Sequence, residues 1–230
     1  MWLDKLIAKK RAIKTAIMQQ LLTGKKRLEG RGNGRWTTYK LGDVALLLKG
    51  SGLSKSLLTE SGQNRCILYG ELFTTYGRVV SKAMSKTNSS LGIASVSGDV
   101  LMPGSTTTTG EDLAIASALL VDDVLLGGDI NVIRQKGKYY NPVFLSFYLT
   151  VACRKAIAER TQGITIIHLY GRDLADLELI LPSIKEQDEI ASILSDINAE
   201  ITALEARRAK TQAIKQGMMQ ELLTGRTRLI

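Results

Sequence analysis

Apolar side chains at Ile190, Leu194, Ile197, Ile201 and Leu204 follow one another in alternating steps of four and three residues. A 3.5-residue period keeps one stripe of a helix against a partner helix. The register continues through Arg208, Thr211, Lys215, Met218 and Leu222, so the distal part of the seam is wetter. The pattern predicts a helix from about Gln187 to Leu223, roughly 55 Å long at 1.5 Å per residue. An ordinary amphipathic core helix is the alternative. Ten seam positions without a proline or a break favour the coiled coil. Upstream, Ser183 and Glu186 after Pro182 predict a capping box, with the Glu186 carboxylate reaching back to the cap amide. Leu222-Leu223-Thr224-Gly225 predicts the stop, because glycine tolerates the left-handed turn after a last helical turn.

The same helix occurs twice. Residues Ala8 to Leu28 align with Ala209 to Leu229 at a constant offset of 201, and 13 of the 21 positions are identical. Ala12-Ile13-Lys14 matches Ala213-Ile214-Lys215, Met18-Gln19 matches Met219-Gln220, and Leu21-Leu22-Thr23-Gly24 matches Leu222-Leu223-Thr224-Gly225. Leu3, Ile17 and Leu21 are the apolar stripe of the first copy. Shared helical amphipathicity alone would not reproduce the terminating Thr-Gly at the same offset. The chain therefore reads as a window on a longer repeated unit, a globular domain followed by a long helix. An antiparallel pairing of such helices sets residues 2–23 against residues 187–204 and leaves Met218 and Leu222 exposed.

Between the helices the pattern changes at Trp36 to short apolar runs punctuated by Gly, Asn, Asp and Ser, the mark of strands and tight turns. Leu41-Gly42-Asp43-Val44 predicts one helical turn leading into a strand. Further strands are expected at Arg65–Tyr69, Val79-Val80, Val100–Met102, Ala114–Val121, Ile130–Arg134, Ile164–Ile167 and Leu177–Leu181. Asn141-Pro142 opens a helix, with asparagine as cap and proline in the first turn, running from Val143 to Ala158. The expected fold is α+β: one globular domain (36–181) between an N-terminal helix with a basic linker (1–35) and the C-terminal helix (182–230). The two helices flank the domain and do not belong to its core.

Charge adds a second asymmetry. The net charge is +9, and residues 1–40 alone carry 11 Lys/Arg against 2 Asp/Glu, while the rest of the chain balances. Lys25, Lys26, Arg27, Arg31 and Arg35 lie on a connection containing Gly30, Gly32 and Gly34, which reads as a flexible link. Such a cluster suits phosphate contact with counterion release, or solubility alone. No run approaches the ~18 apolar residues of a membrane span, and lysines follow Met1 too soon for a signal peptide. Cys66 and Cys153 stand alone, without metal spacing, as reduced thiols of a cytoplasmic protein.

The residues offer no catalytic constellation. His168 has no nucleophile at useful spacing and reads as a polar strand-end residue, and no glycine-rich phosphate loop precedes a helix. Asn141-Pro142-Val143-Phe144 superficially matches the target-amine segment of adenine methyltransferases, but the second proline and a cofactor motif are missing. What remains is four polar loops: Lys49, Ser51, Ser54 and Lys55; Tyr69, Glu71, Tyr76 and Arg78; Ser105, Thr106, Thr107 and Thr108; and Lys138 with Tyr139. Hydroxyls, lysines, arginines and tyrosines on loops are the groups that base edges and phosphates require, although each loop taken alone also fits a plain surface turn.

Trp36 to Ala45 (WTTYKLGDVA), Tyr69 to Gly77 (YGELFTTYG), Thr161 to Thr165 (TQGIT) and Leu179 to Leu194 (LILPSIKEQDEIASIL), with the paired Leu-Leu-Thr-Gly helix ends, carry a resemblance. The chain resembles the specificity subunit of type I restriction–modification enzymes. In that family two target recognition domains each read half of a split DNA site, and two long helices form an antiparallel coiled coil that docks the modification subunits. The resemblance implies a non-catalytic subunit without cofactor of its own, with S-adenosylmethionine, Mg and ATP confined to partner subunits. Its implied partners are double-stranded DNA, the modification (methyltransferase) subunit and, indirectly, the restriction subunit. A single recognition domain is present, so a half subunit or a split one is expected, as a homodimer or paired with another specificity-subunit fragment. A coiled-coil assembly or decoy module that binds the modification subunit without reading DNA is the alternative.

Overall fold

The computed structural model describes residues 2–28 and 34–224. Helix α1 (Trp2–Leu21) precedes strand β1 (Thr37–Lys40), a single-turn helix α2 (Leu41–Val44) and β2 (Ala45–Lys49). Next come β3 (Asn64–Ile67), α3 (Glu71–Thr74), β4 (Val79–Val80), β5 (Ser85–Thr87), β6 (Ile93–Ala94) and β7 (Asp99–Pro103). They are followed by β8 (Ser105–Thr106), β9 (Ser117–Leu119), β10 (Leu125–Leu126), β11 (Ile130–Gln135), α4 (Pro142–Val151) and α5 (Arg154–Ala158). The chain continues with β12 (Ile167–His168), α6 (Gly171–Leu174), β13 (Glu178–Leu181) and α7 (Ile184–Leu223). Two compact units result: Met1–Met18 with Ser192–Ile230, and Gln19–Ala191.

The larger unit is built on a five-stranded sheet of order β2-β11-β7-β9-β4 and a four-stranded sheet of order β5-β3-β10-β6. Two ribbons, β1–β13 and β8–β12, complete it. β11 pairs antiparallel with both β2 and β7 and carries the register of the whole domain. Ile67 and Leu126 of the smaller sheet share one buried cluster with Leu101, Leu119, Ile130 and Val132 of the larger. Helix α4 packs on β7 and β9, and its Phe144, Leu145, Phe147 and Leu149 are buried, each contributing roughly 1.5–3 kcal/mol. Asn141 caps it as expected, its side-chain oxygen accepting the Val143 and Phe144 amides at 2.8 and 3.0 Å. The buried Asp99 carboxylate at the start of β7 is satisfied by a bidentate Arg134 (2.9 and 2.7 Å) and the Val96 amide (2.9 Å), as a desolvated charge requires.

Several expectations are corrected here. The helix expected to run from Val143 to Ala158 is two helices, α4 and α5, broken at Ala152–Cys153. Of the strand expected at Ile164–Ile167, only Ile167–His168 pairs, and Ile164 is 98% exposed at the tip of the turn before it. Strands β1, β5, β6, β8 and β10 escaped the apolar pattern, since two- to four-residue strands are defined by their partner's register rather than by a local run.

In the smaller unit, residues 2–18 run antiparallel to the segment of α7 after Ser192. Three ion pairs fix this direction: Asp4 with Arg208 (3.5 Å), Arg11 with Glu205, and Lys10 with Glu200 (2.7 Å). Leu3, Ile7, Leu194 and Ile201 are buried, while Ile17, Ile197 and Leu204 are half-buried. Ile190, still within the larger unit, is also buried, as is Leu21. Helix α7 is 40 residues long, about 60 Å at 1.5 Å per residue. Every described residue from Ala209 to Thr224 is exposed, including Met218 and Leu222. Rich in Ala, Lys, Gln, Glu, Met and Leu, this stretch is held helical by propensity.

Candidate nucleic-acid interface

The first two polar loops come together. Ser51 to Lys55, Tyr69 to Glu71 and Thr74 line one cleft of about 830 Å³ together with Lys49 and Asp129. The approach depends on Gly50, where a Cβ would stand 2.0 Å from the Gly127 carbonyl oxygen. Lys49 pairs with Asp129 at 3.4 Å, and Asp129 also accepts the Ser105 hydroxyl at 3.1 Å, which sets the base of the third loop beside the first. Thr106, Thr107 and Thr108 extend outward from that base. Hydrogen bonds from the Thr108 and Thr109 hydroxyls hold the Asp112 carboxyl below the usual carboxylate range and so brace the loop.

A fourth contributor was not anticipated. Lys49 shares a second depression with Tyr170, Gly171 and Arg172. The Arg172 guanidinium lies 5.1 Å from the Tyr170 ring centre, and Tyr170 stacks on His168 at 5.8 Å with the rings 9° from parallel. Buried Asn131 in β11 fixes this segment by donating to the Leu169 carbonyl at 2.8 Å. The signal was present in the sequence as a Tyr-Gly-Arg turn beside the histidine. Lys49 thus joins two neighbouring depressions, one lined by Ser51, Ser54, Lys55 and Tyr69 and the other by Tyr170 and Arg172.

Four loop residues expected to contact DNA are instead engaged by the protein. Arg78 donates to the Ala116 carbonyl (2.9 Å) and Thr150 (3.2 Å), and burial pushes its pKa down to about 10. The Tyr76 hydroxyl accepts the Met84 amide at 2.8 Å. The Glu71 carboxylate accepts from the Leu68 amide (2.7 Å) and the Ser85 hydroxyl (2.6 Å). Ser105 is buried. Each would have to give up a hydrogen bond within the protein to reach a base edge.

Lys138 and Tyr139 lie elsewhere again. Gln135, where their loop begins, pairs with Ala45, whereas Asn131 pairs with Lys49. At ~3.4 Å per residue the two levels are ~14 Å apart along β11. Tyr139 meets the Tyr39 ring edge-on at 5.7 Å, and its carbonyl accepts from Gln187 at 3.3 Å.

The basic segment belongs to that second neighbourhood. Gly24, at φ +69°, follows the end of α1, and a Cβ there would stand 3.4 Å from the Trp36 ring. Arg27 is not a loose surface cation: its guanidinium grips Glu186 at 2.7 and 2.6 Å, donates to the Gly34 carbonyl at 2.7 Å, and lies 5.6 Å from the Trp36 ring centre. Glu186 is buried, and its hydrogen bond raises the Arg27 pKa. One expectation is corrected by this. The Glu186 carboxylate is occupied by Arg27, while only the Ser183 hydroxyl accepts from the Glu186 amide, at 3.4 Å. The flexible link was expected around Gly30 and Gly32, which lie outside the described residues. Lys25, Lys26 and Arg35 remain exposed, and Arg31 lies outside the described residues.

Both cysteines are buried and free. Among the described residues no group of three or more His, Cys, Asp or Glu could hold a metal ion, and no helix is long and apolar enough to cross a membrane.

The fold is similar to solved structures of the same kind. It superimposes on the HsdS subunit from Thermoanaerobacter tengcongensis with a TM-score of 0.58 at 19% identity, covering 95% of this chain and 52% of that one. The type I restriction–modification S subunit from M. genitalium gives 0.62 at 17% identity, covering 84% and 47%. In sequence, the chain is 25% identical over 191 residues to the type I restriction enzyme MjaVIII specificity subunit of Methanocaldococcus jannaschii, covering 82% of this chain and 42% of the relative. The chain thus spans about half the length of the relatives it matches. The model of the type I restriction modification DNA specificity domain matches residues 33–216, and the chain belongs to this family.

Proposed function

We propose that this chain is a non-catalytic, sequence-specific DNA-binding module of a type I restriction–modification system. It reads one half of a split site and docks the methyltransferase subunit, which with the restriction subunit supplies S-adenosylmethionine, Mg and ATP chemistry. The observation that carries the reading is that Lys55 and Tyr69 share a cleft with Lys49 and Arg172 shares the adjoining depression with it, at one end of β11. Lysines and Arg172 supply phosphate and guanine donors, the threonine hydroxyls both donate and accept, and Tyr69 offers an exposed ring. Asp129 and Asn131 hold these groups through hydrogen bonds and an ion pair rather than reading bases themselves.

The test is selection of a preferred duplex from a randomised pool, followed by anisotropy titration of that duplex against random DNA. Substituting Lys55, Tyr69, Thr107 or Arg172 by Ala should cost ~1–3 kcal/mol against the selected duplex, with little change on random DNA. Failure to enrich any sequence, with the methyltransferase subunit still bound, would replace this reading with that of an assembly module.

A further inference from the structure

The turn between α5 and β12 takes no part in the cleft or in the depression beside it. Residues 162–166 are all exposed. At the tip Ile164 is 98% exposed, and Ile166 is 49% exposed. Single apolar side chains on a surface are ordinary. Two on one turn are less so when the fold holds that turn away from the core.

The turn is pinned along both arms. Gln162 and His168 exchange backbone hydrogen bonds at 2.9 and 2.7 Å and close the loop between them. Gly163 sits at φ +109°, and a Cβ there would overlap the Ile166 carbonyl oxygen, so the chain can reverse here only at a glycine. The Gln162 side chain donates to Asp173 at 3.2 Å. On the other arm Ile167 and His168 pair with Thr106 and Ser105, and the Leu169 amide donates to the Gly104 carbonyl at 2.8 Å. The His168 ring stacks on Tyr170, and Tyr170 lies against Arg172. One ladder thus ties the isoleucine turn to the base of the third polar loop, and one stack leads from it to a cation whose side chain is 77% exposed.

We propose that Ile164 is an apolar wedge: when the chain binds DNA, its side chain enters between two neighbouring base pairs and unstacks them. This role rests on the DNA-reading function proposed above and adds to it a residue outside the polar loops. An aliphatic side chain can replace a stacking neighbour because a base face asks for no hydrogen bond. The pinned turn matters, since a side chain already presented to solvent gives up no packing, and a fixed backbone loses little entropy on entry. The surroundings suit sugar and phosphate on either side of the opened step: Thr165 on the turn, Thr106 across the ladder and Arg172 beyond the stack. The nearby carboxylate, Asp173, is engaged by Gln162 and lies 3.7 Å from Arg172. Pyrimidine–purine steps unstack most easily, so the half-site should hold one such step at a fixed position, and the preference for it should depend on Ile164.

The full chain is titrated with the duplex selected from the randomised pool, carrying 2-aminopurine at one position at a time. This base brightens when it loses a stacked neighbour. The parent chain should brighten the probe at one step only. Ile164→Ala should abolish the brightening and weaken binding to the selected duplex by about tenfold. Affinity for random duplex and the melting temperature should hold, because the side chain is exposed in the free protein. Ile164→Leu, which keeps the apolar volume, should restore both affinity and brightening. Equal affinity and equal brightening for Ile164→Ala and the parent overturn the wedge and leave DNA reading intact. Weaker binding of the methyltransferase subunit by Ile164→Ala, with affinity for the selected duplex unchanged, overturns it in favour of a protein contact. If the pool yields no enriched duplex, DNA reading itself falls, and the wedge with it.

Discussion

Replacing Arg27 by Ala separates a structural cation from its basic neighbours. The guanidinium makes a two-bond fork to Glu186, whose side chain is 2% exposed, against 22% for Arg27. Removing Arg27 leaves a buried carboxylate without its counter-charge, a change that costs ~3–5 kcal/mol. Loss of the contact with Trp36 adds about 0.5–1 kcal/mol. At roughly 2–4 °C per kcal/mol for a chain of this size, the melting temperature should fall by about 7–24 °C. Arg27→Lys keeps the charge but not the planar fork, so it should fall between the two. Replacing both partners, Arg27→Met with Glu186→Leu, should recover most of the loss, because no desolvated charge is then stranded. Lys25→Ala with Lys26→Ala should behave in the opposite way. Both side chains are exposed, so stability should hold, while the slope of log affinity for random duplex against log salt should flatten by ~0.9 per lost phosphate contact. Scanning calorimetry and anisotropy at four salt concentrations measure both quantities. An Arg27→Ala variant with unchanged melting temperature and a flattened salt slope would refute the assignment.

Arg78→Ala should destabilise the larger unit while leaving the ratio of cognate to random affinity unchanged, and Tyr76→Phe should do the same more weakly; loss of discrimination without loss of stability would return both to the DNA-facing set. Burial pushes the Cys66 thiol up to about 11 and the Cys153 thiol up to about 12, from an ordinary value of 9.0. Because the folded values lie above the unfolded ones, this contribution to stability is complete below pH 9 and is lost as pH rises through 11 and 12. Urea unfolding at pH 8 and pH 10.5 should therefore show a drop that shrinks in a Cys66→Ala/Cys153→Ala variant, and an equal drop in both proteins would count against the burial argument. Native-state alkylation at pH 8 should likewise be slow at both thiols until the protein is unfolded.

Much of this architecture follows from local pattern. The alternating four- and three-residue spacing from Ile190 onward and the repeat at offset 201 determine two helices and the stripe each turns to a partner, because a helix exposes that stripe in the sequence itself. Their antiparallel direction came from the resemblance and is fixed in the structure by ion pairs such as Lys10 with Glu200. Asn141-Pro142 determines a helix start by cap chemistry, and Leu41–Val44 a turn entering a strand. Family membership is legible for the same reason, carried by segments such as Trp36 to Ala45 that combine a strand with that turn. The candidate site is not legible in this way. Tyr-Gly-Arg occurs twice, at Tyr76–Arg78 and Tyr170–Arg172. The first arginine is drawn inward to the Ala116 carbonyl and Thr150, while the second has a side chain 77% exposed beside its tyrosine. Nothing within three residues separates the two; a strand register and a helix packed more than thirty residues away do. Glu71, Ser105 and Arg27 likewise have partners within the protein, and a polar side chain does not disclose whether its partner is a base, a phosphate or the protein's own groups. Which loops share a face depended on β11, whose pairing puts Lys49 at one end and the Lys138–Tyr139 loop at the other. That separation is a property of long-range pairing, which only the tertiary structure decides.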